Sequence, residues 1–311
     1  MNNAFSPYDL CPCDSGLKAK FCCLEGNRWN KKPVRLVGDE PITGYSHKGC
    51  YANKTNDCST KISKEHLISN YILANLGNAK VVKIQGPPYG KPGEVKIMPK
   101  AGLVANVLCV RHNSLLSPFD TEIGKFHKTF NKYEKGLNIE KPVNDISIFC
   151  GENLEKWMLK TACSYIASKQ IYSGDKKIEC EMKDIYVDIL YNDKPLPEGW
   201  GLYVDAAEGT IQTHNYIAPS FIIRDSTLMA VKMIIHSLVF YLTLDNPQTI
   251  RKGLIYRPRG IEIKKGNIKK VMEICWQDKK YNQGVFLTHT RNISRTPEEW
   301  DEWVFNKDDK L

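Results

Sequence analysis

Four cysteines crowd into thirteen residues near the start of the chain, as Cys11-Pro12-Cys13, eight residues, then Cys22-Cys23. Four thiolates so close in sequence can close a tetrahedral shell around Zn²⁺, and Gly16 with the basic residues between the pairs favours a tight loop. A second group is spread more widely. Cys50 and Cys58 flank a loop, and Cys109-Val110-Arg111-His112 supplies another pair with two residues between. Ser63-Lys64-Glu65-His66 stands between these pairs, Asn113 directly follows the second, and Asp120 comes seven residues later. Six side chains compete for four seats at this second metal: His47, Cys50, Cys58, His66, Cys109 and His112. General-base catalysis needs a proton acceptor that is neutral near pH 7, and a hard cation needs oxygen ligands. A histidine beside a carboxylate and an amide oxygen has the donor types for both tasks.

The segment CPCDSGLKAKFCC resembles the SEC-C metal-binding motif, a small zinc module, over about 15 residues with all four ligand positions matched. That resemblance implies a docking or stabilising appendage and no catalysis of its own. The order C…C…EH…CxxHN…D over residues 47–130 resembles the zinc-stabilised form of the HNH endonuclease family. There, two ligands early and two late build a treble-clef, ββα-metal core. The resemblance implies a second structural zinc on Cys50, Cys58, Cys109 and His112. It also implies His66 as general base, Glu65 and Asn113 as ligands of a catalytic Mg²⁺ or Mn²⁺, and Asp120 as a reserve ligand or an orienter of His66. Glu65 stands where the family usually carries Asp, which lengthens the metal arm by one methylene. The implied activity is metal-dependent hydrolysis of nucleic acid, DNA in the first instance. The competing class is a non-catalytic treble-clef module that binds nucleic acid or a protein.

These residues need elements to hold them. A polar linker broken by Pro33, Gly38 and Pro41 separates the first cysteine group from the second. Glu65 to Leu76 reads as a short helix, Lys80–Gln85 and Glu94–Met98 as strands around the turn-rich GPPYGKPG, and Leu103–Val110 as another strand. Ser117-Pro118 carries the signature of a helix start, with the helix running to about Tyr133. Glu152–Ile171 is a strong amphipathic helix, with Leu154, Trp157, Met158, Thr161 and Tyr165 at spacings of three and four. Beyond it come β-like runs at Ile185–Leu190, Gly201–Val204, Ile211–Tyr216, Phe221–Ile223, Leu228–Leu244, Tyr256–Ile263 and Val271–Trp276. A short helix is expected in the tail from Pro297, around Trp300 and Trp303. The expected class is α+β: a zinc knuckle at 1–30, an HNH-like unit at 46–135 and an α+β unit of unassigned role at 141–311.

Composition bounds the partners. The 311 residues include 44 Lys/Arg and 35 Asp/Glu, a formal charge of +9, and eleven cysteines. Residues 1–140 hold 20 basic and 12 acidic residues, whereas 141–311 hold 24 and 23, so positive charge and clustered cysteines share one half of the chain. Lys48, Lys54, Lys61, Lys64 and Arg111 surround the motif residues, and Lys125, Lys128 and Lys132 follow them; such a surface suits a polyanion. Arg251, Lys252, Arg257, Arg259, Lys264 and Lys265 form a later basic stretch. A protein partner is expected through the knuckle or the C-terminal unit. The longest apolar run, Leu228–Leu244, carries Lys232 and His236, so no membrane span and a cytoplasmic location are expected. Clustered thiols in a reducing compartment point to metal ligands rather than disulfides. Cys150, Cys163, Cys180 and Cys275 read as small buried hydrophobes. His127, His214, His236 and His289 read as ordinary residues.

Overall fold

Each thiol pair must turn the chain back on itself, and the first elements follow from that. The computed structural model describes residues 5–36, 41–76, 80–86, 88–91, 93–137, 145–205, 208–210, 217–236, 238–245, 253–278 and 283–288. A short hairpin of β1 (Leu24–Glu25) and β2 (Arg28–Trp29) closes behind Cys22 and Cys23. Cys11, Cys13, Ala19 and Cys23 are buried in one small cluster with Ile148 and Cys275, so the knuckle is seated on the rest of the chain.

The middle segment runs β3 (Ile62–His66), α1 (Asn70–Asn75), β4 (Val81–Gln85), β5 (Val95–Pro99), β6 (Val104–Cys109) and α2 (Val110–Gly136). Strand β3 pairs antiparallel with β6, and β4 with β5 in the hairpin that GPPYGKPG predicts. Two expectations need correction. Glu65 and His66 close a strand instead of opening a helix, because Ile62 to His66 find their backbone partners along β6. Helix α2 begins at Val110, well before Ser117-Pro118. Its cap is Cys109, whose sulfur accepts the His112 N–H, and Pro118 lies inside the helix. Proline has no N–H to give to the Ser114 carbonyl, yet the helix continues. Burial of Leu116, Phe119, Ile123, Phe126, Phe130 and Tyr133 along one face outweighs the local start signal.

Then β7 (Asp145–Cys150) runs straight into α3 (Gly151–Ala167), the expected amphipathic helix. There follow β8 (Tyr172–Ser173), β9 (Lys176–Lys177), α4 (Asp184–Tyr191), β10 (Gly201–Val204), β11 (Glu208–Thr210), β12 (Ile217–Arg224), β13 (Thr227–Ile235), β14 (Leu238–Thr243), β15 (Ile255–Tyr256), β16 (Gly260–Lys265), β17 (Ile268–Cys275) and β18 (Val285–Thr288). Ile185–Leu190 is thus a helix, not a strand; Tyr186, Val187, Ile189 and Leu190 are buried together on its inner side. Leu228–Leu244 is two strands folded back at His236. The expected strand at 211–216 and the tail with Trp300 and Trp303 lie outside the described residues, as do His214, Arg251, Lys252 and His289.

The result is a mixed α/β chain with many strands and few helices. One antiparallel sheet has the order β12-β13-β14-β10-β15, and a second, mixed sheet the order β11-β18-β16-β17-β7. Helix α3 packs against α2, β6, β10, β13 and β14, within one contiguous buried cluster that joins Cys50–Leu137 to Phe149–Leu287. Cys150, Cys163 and Cys275 are buried as expected, Cys163 in that cluster and Cys275 in the knuckle's, while Cys180 is half-buried.

His127 and His236 are both fully buried, their ring centroids 4.6 Å apart, with Phe130 stacked on His236 at 4.7 Å. Neither nitrogen of His127 has a hydrogen-bond partner among the described residues. Burial holds its pKa down at about 4, while the neighbouring Glu134 is pushed up to about 7, also by burial. A histidine buried neutral takes up its proton more readily in the unfolded chain, so its contribution to stability is lost as pH falls below about 6.5. His127→Leu should remove on the order of 1 kcal/mol of the stability lost between pH 7.5 and 5.5, as read from denaturant unfolding of both proteins at each pH. An unchanged difference between the two pH values would exclude His127 as its source.

Candidate metal centres and the Glu65–His66 pocket

The two cysteine groups converge as their spacing predicts. Cys11, Cys13, Cys22 and Cys23 offer four sulfurs within 4.8 Å of one another, and Cys50, Cys58, Cys109 and His112 offer three sulfurs and a ring nitrogen within the same limit. With Zn–S near 2.3 Å and Zn–N near 2.0–2.1 Å, a tetrahedral shell has edges of about 3.8 Å (S···S) and about 3.6 Å (S···N). His112 Nδ1 lies 3.5 Å from Cys50 Sγ, 3.6 Å from Cys58 Sγ and 3.2 Å from Cys109 Sγ. In the knuckle, Cys22 Sγ lies 3.4 Å from Cys13 Sγ and 3.6 Å from Cys23 Sγ. Both sites could hold zinc. Burial pushes Cys11 up to about 11 and Cys50 up to about 12, while a hydrogen bond from Cys23 holds Cys13 down at about 4. At Cys109, burial is outweighed by the backbone N–H groups of His112 and Ser59, which lower it. A divalent cation removes the burial penalty.

The surroundings of the second shell also prepare it for a metal. Thr55 Oγ1 donates to the Ala52 carbonyl at 2.8 Å, so it serves His112 Nε2, 2.9 Å away, as an acceptor. That contact puts the ring proton on Nε2 and leaves the Nδ1 lone pair facing the sulfurs. Ser59 N–H donates to Cys109 Sγ at 3.3 Å. Of the six contenders for four seats, His47 instead accepts the Gly49 N–H at 3.0 Å, and His66 lies elsewhere.

His66 faces a cavity of about 270 Å³ that it lines together with Glu65, Asn113 and Asp120. All four side chains singled out from sequence therefore meet, from β3 and from two turns of α2. Asn113 Nδ2 donates to Ser63 Oγ at 2.9 Å, tying the start of α2 to β3 beside the zinc site. The β3–β6 pairing slips between Ser63 and Glu65, an irregularity that re-aims the end of the strand. Asn70 and Tyr71 of α1 and Ser114 and Ser117 of α2 complete the wall. Helix α1 lies so close to α2 that a Cβ on Gly124 would come 2.3 Å from that of Tyr71. Burial, helped by Lys160 and opposed by Asp120, lowers the His66 pKa below 6.5, so the ring is neutral at pH 7.

The residue that composition and spacing did not single out is Lys160 of α3. Its Nζ lies 2.7 Å from Glu65 Oε1 with both side chains 2 % exposed, and it is also ion-paired with Asp120. Burial pulls the ammonium down, but Asp120 and Glu65 together outweigh it and raise its pKa. Burial raises the Glu65 pKa against the pull of Lys160, with a smaller contribution from the charge of Asp120. A lysine three residues after Trp157, on the buried side of an amphipathic helix, was the available signal. The hard catalytic cation implied by the HNH resemblance does not fit this arrangement. Glu65 is committed to Lys160, and among the described residues only the two Cys/His groups bring three or more ligand atoms together.

The basic residues near the site are partly spent internally. Arg111 pairs with Asp57 at 2.9 Å, and Lys54 with Asp184 at 3.1 Å and Asp188 at 3.6 Å. Arg257 is buried against Glu155. No helix among the described residues is long and apolar enough to cross a membrane. No protein-family profile matches the chain, and no curated protein or solved structure is similar enough to indicate kinship.

Zinc content and stability should separate the two centres. Cys58→Ala should lose one of two bound zinc ions and unfold the region around β3, β6 and α2. Structural zinc supplies about 10–16 kcal/mol, comparable to the whole stability of a domain. Cys11→Ser should also lose one zinc but lower the melting temperature less than Cys58→Ala, since the knuckle's buried cluster is small and reaches the rest of the chain through Ile148 and Cys275. Metal analysis with thermal unfolding checks both, and retention of two zinc ions by either variant would overturn the ligand set.

Proposed function

We propose that the chain is an HNH-like phosphodiester hydrolase acting on nucleic acid, DNA in the first instance, with His66 as its general base. What carries the reading is one observation: Glu65, His66, Asn113 and Asp120 line a single cavity on a paired β3–β6 and the helix that follows, beside the Cys50–Cys58–Cys109–His112 cluster. The order of motifs and their arrangement in space agree with a zinc-stabilised ββα core. In this reading the zinc ions are structural and His66 takes a proton from the attacking water. A neutral ring at pH 7 suits that role, and its lowered pKa places the start of the rate plateau below pH 6.5. Asn113 holds the strand that carries His66. Positive charge in the first 140 residues favours a polyanion, though thiolate shells reduce it, by two charges for a Cys₄ zinc site and one for Cys₃His.

A second reading is favoured by the same Lys160 contact that disfavours a divalent ion. With Glu65 held in an ion pair, the fold would act as a zinc module that binds nucleic acid or protein without cutting it.

Cleavage of supercoiled plasmid by the zinc-loaded protein separates the two. His66→Ala should lower the rate by about 10²–10⁴-fold, the usual contribution of a general base, with zinc content and melting temperature unchanged. Cleavage by this variant at the parent rate would remove His66 from the chemistry. Plasmid retardation without cutting by the parent protein would leave the binding module as the correct reading.

A further inference from the structure

A buried carboxylate beside a half-buried one needs positive charge, and in this fold the charge comes from a distant part of the chain. Glu65 ends β3, Asp120 lies on α2, and Lys160 reaches both from the middle of α3. We infer that Lys160 is the resident cation of the Glu65–Asp120 pair, occupying the place a divalent ion would need, so that the pocket works without Mg²⁺ or Mn²⁺.

Geometry carries this. A Mg²⁺ ion asks for six oxygens in near-octahedral array, at 2.0–2.1 Å. The carboxylates available here are Glu65 and Asp120, and an ammonium 2.7 Å from Glu65 Oε1 already stands against both. A dication brought to the same oxygens would meet that ammonium within a few ångströms and would have to expel it. Expulsion is obstructed, because Lys160 is 1 % exposed. Its helix is also pinned. Five residues earlier on α3, Glu155 accepts two hydrogen bonds from Arg257, at 2.9 Å and 3.0 Å, and one from Leu202 N–H at 2.8 Å. Lys160 is therefore a fixed charge and not a movable arm.

Its effect on the site is positional and electrostatic. One ammonium between two carboxylates leaves a net charge of one instead of two at the wall of the pocket, which lowers repulsion of an approaching phosphodiester. It also holds Asp120 at the cavity wall that Asp120 shares with His66. Lys160 does not line the cavity, so it is a positioning residue. The functional consequence, cleavage without added Mg²⁺, rests on the hydrolase reading; the cation assignment is tested without any cleavage.

The experiment is thermal unfolding of the full-length, zinc-loaded protein in rising MgCl₂, a hard cation that leaves thiolate sites alone. The parent should show no Mg²⁺-dependent rise in melting temperature, and Mn²⁺ added to it should remain free by electron paramagnetic resonance. Lys160→Ala should melt lower than the parent and regain roughly 3 °C or more at saturating Mg²⁺. That gain should vanish when Asp120→Asn is added. Lys160→Gln, which keeps chain length and a donor, is the second variant should the alanine variant not fold. Mg²⁺ stabilisation of the parent that depends on Glu65 would overturn the inference, as would a Lys160 variant that folds and ignores Mg²⁺. Failure of the hydrolase reading appears separately, as no cleavage by the parent or equal cleavage by His66→Ala, and leaves the magnesium result standing.

Discussion

Closure of one four-ligand shell sets the geometry on which the rest of the middle segment depends. Cys50 and Cys58 come from the loop before β3, Cys109 ends β6, and His112 sits in the first turn of α2. An ion held by all four would fix where the strand stops, where the helix starts and the angle between them. Asn113 is the next residue of that helix, and Glu65 and His66 lie on the strand paired to β6. The cavity is thus built on the same strand pair and helix start that carry the Cys/His cluster. Local sequence preference would have started the helix at Ser117-Pro118; the Cys109 cap and burial of the face from Leu116 to Tyr133 together override it.

A second constraint comes from charges buried along α3. Glu155 and Lys160 sit five residues apart on one helix and serve different networks, Arg257 and Asp278 on the sheet side, Glu65 and Asp120 on the zinc side. Breaking a buried pair by removing one partner typically costs about 3–5 kcal/mol, because the other charge is left without compensation. Such pairs add little net stability over apolar residues, but they permit few alternative arrangements. Here they specify how α3 meets both β3 and the sheets. Tyr191 of α4 adds a further link, its ring edge-on to His112 at 4.8 Å and its hydroxyl donating to the His112 carbonyl at 3.4 Å.

The charge excess of the first 140 residues is less available than its size implies. Arg111 and Lys54 are paired with aspartates, and Lys31 is tied at 2.8 Å to Glu122 on α2. Each internal pair removes one cation from the set that could meet a phosphate, and each helps to hold the knuckle, the middle segment or α4 in place.

Much of the candidate site was legible in the chain itself. Thiolate chemistry is strict enough that CPC and CC name the first ligand set, the second set was narrowed to six contenders, and Glu65, His66, Asn113 and Asp120 were marked by the resemblance to the HNH motif order. The β4–β5 hairpin and α3 were equally readable, from turn residues and from helical periodicity. Elements whose identity depends on partners were not. Glu65 and His66 read as helix but pair with β6, and Ile185–Leu190 reads as strand but packs one face of a helix into the core. The sequence alone determined which residues could bind zinc and which could do acid–base chemistry, because those are properties of side-chain type and spacing. Only the tertiary structure decided what cation stands beside the two carboxylates. Lys160 lies 95 residues from Glu65, and no local rule relates charges at that separation until the fold buries them together.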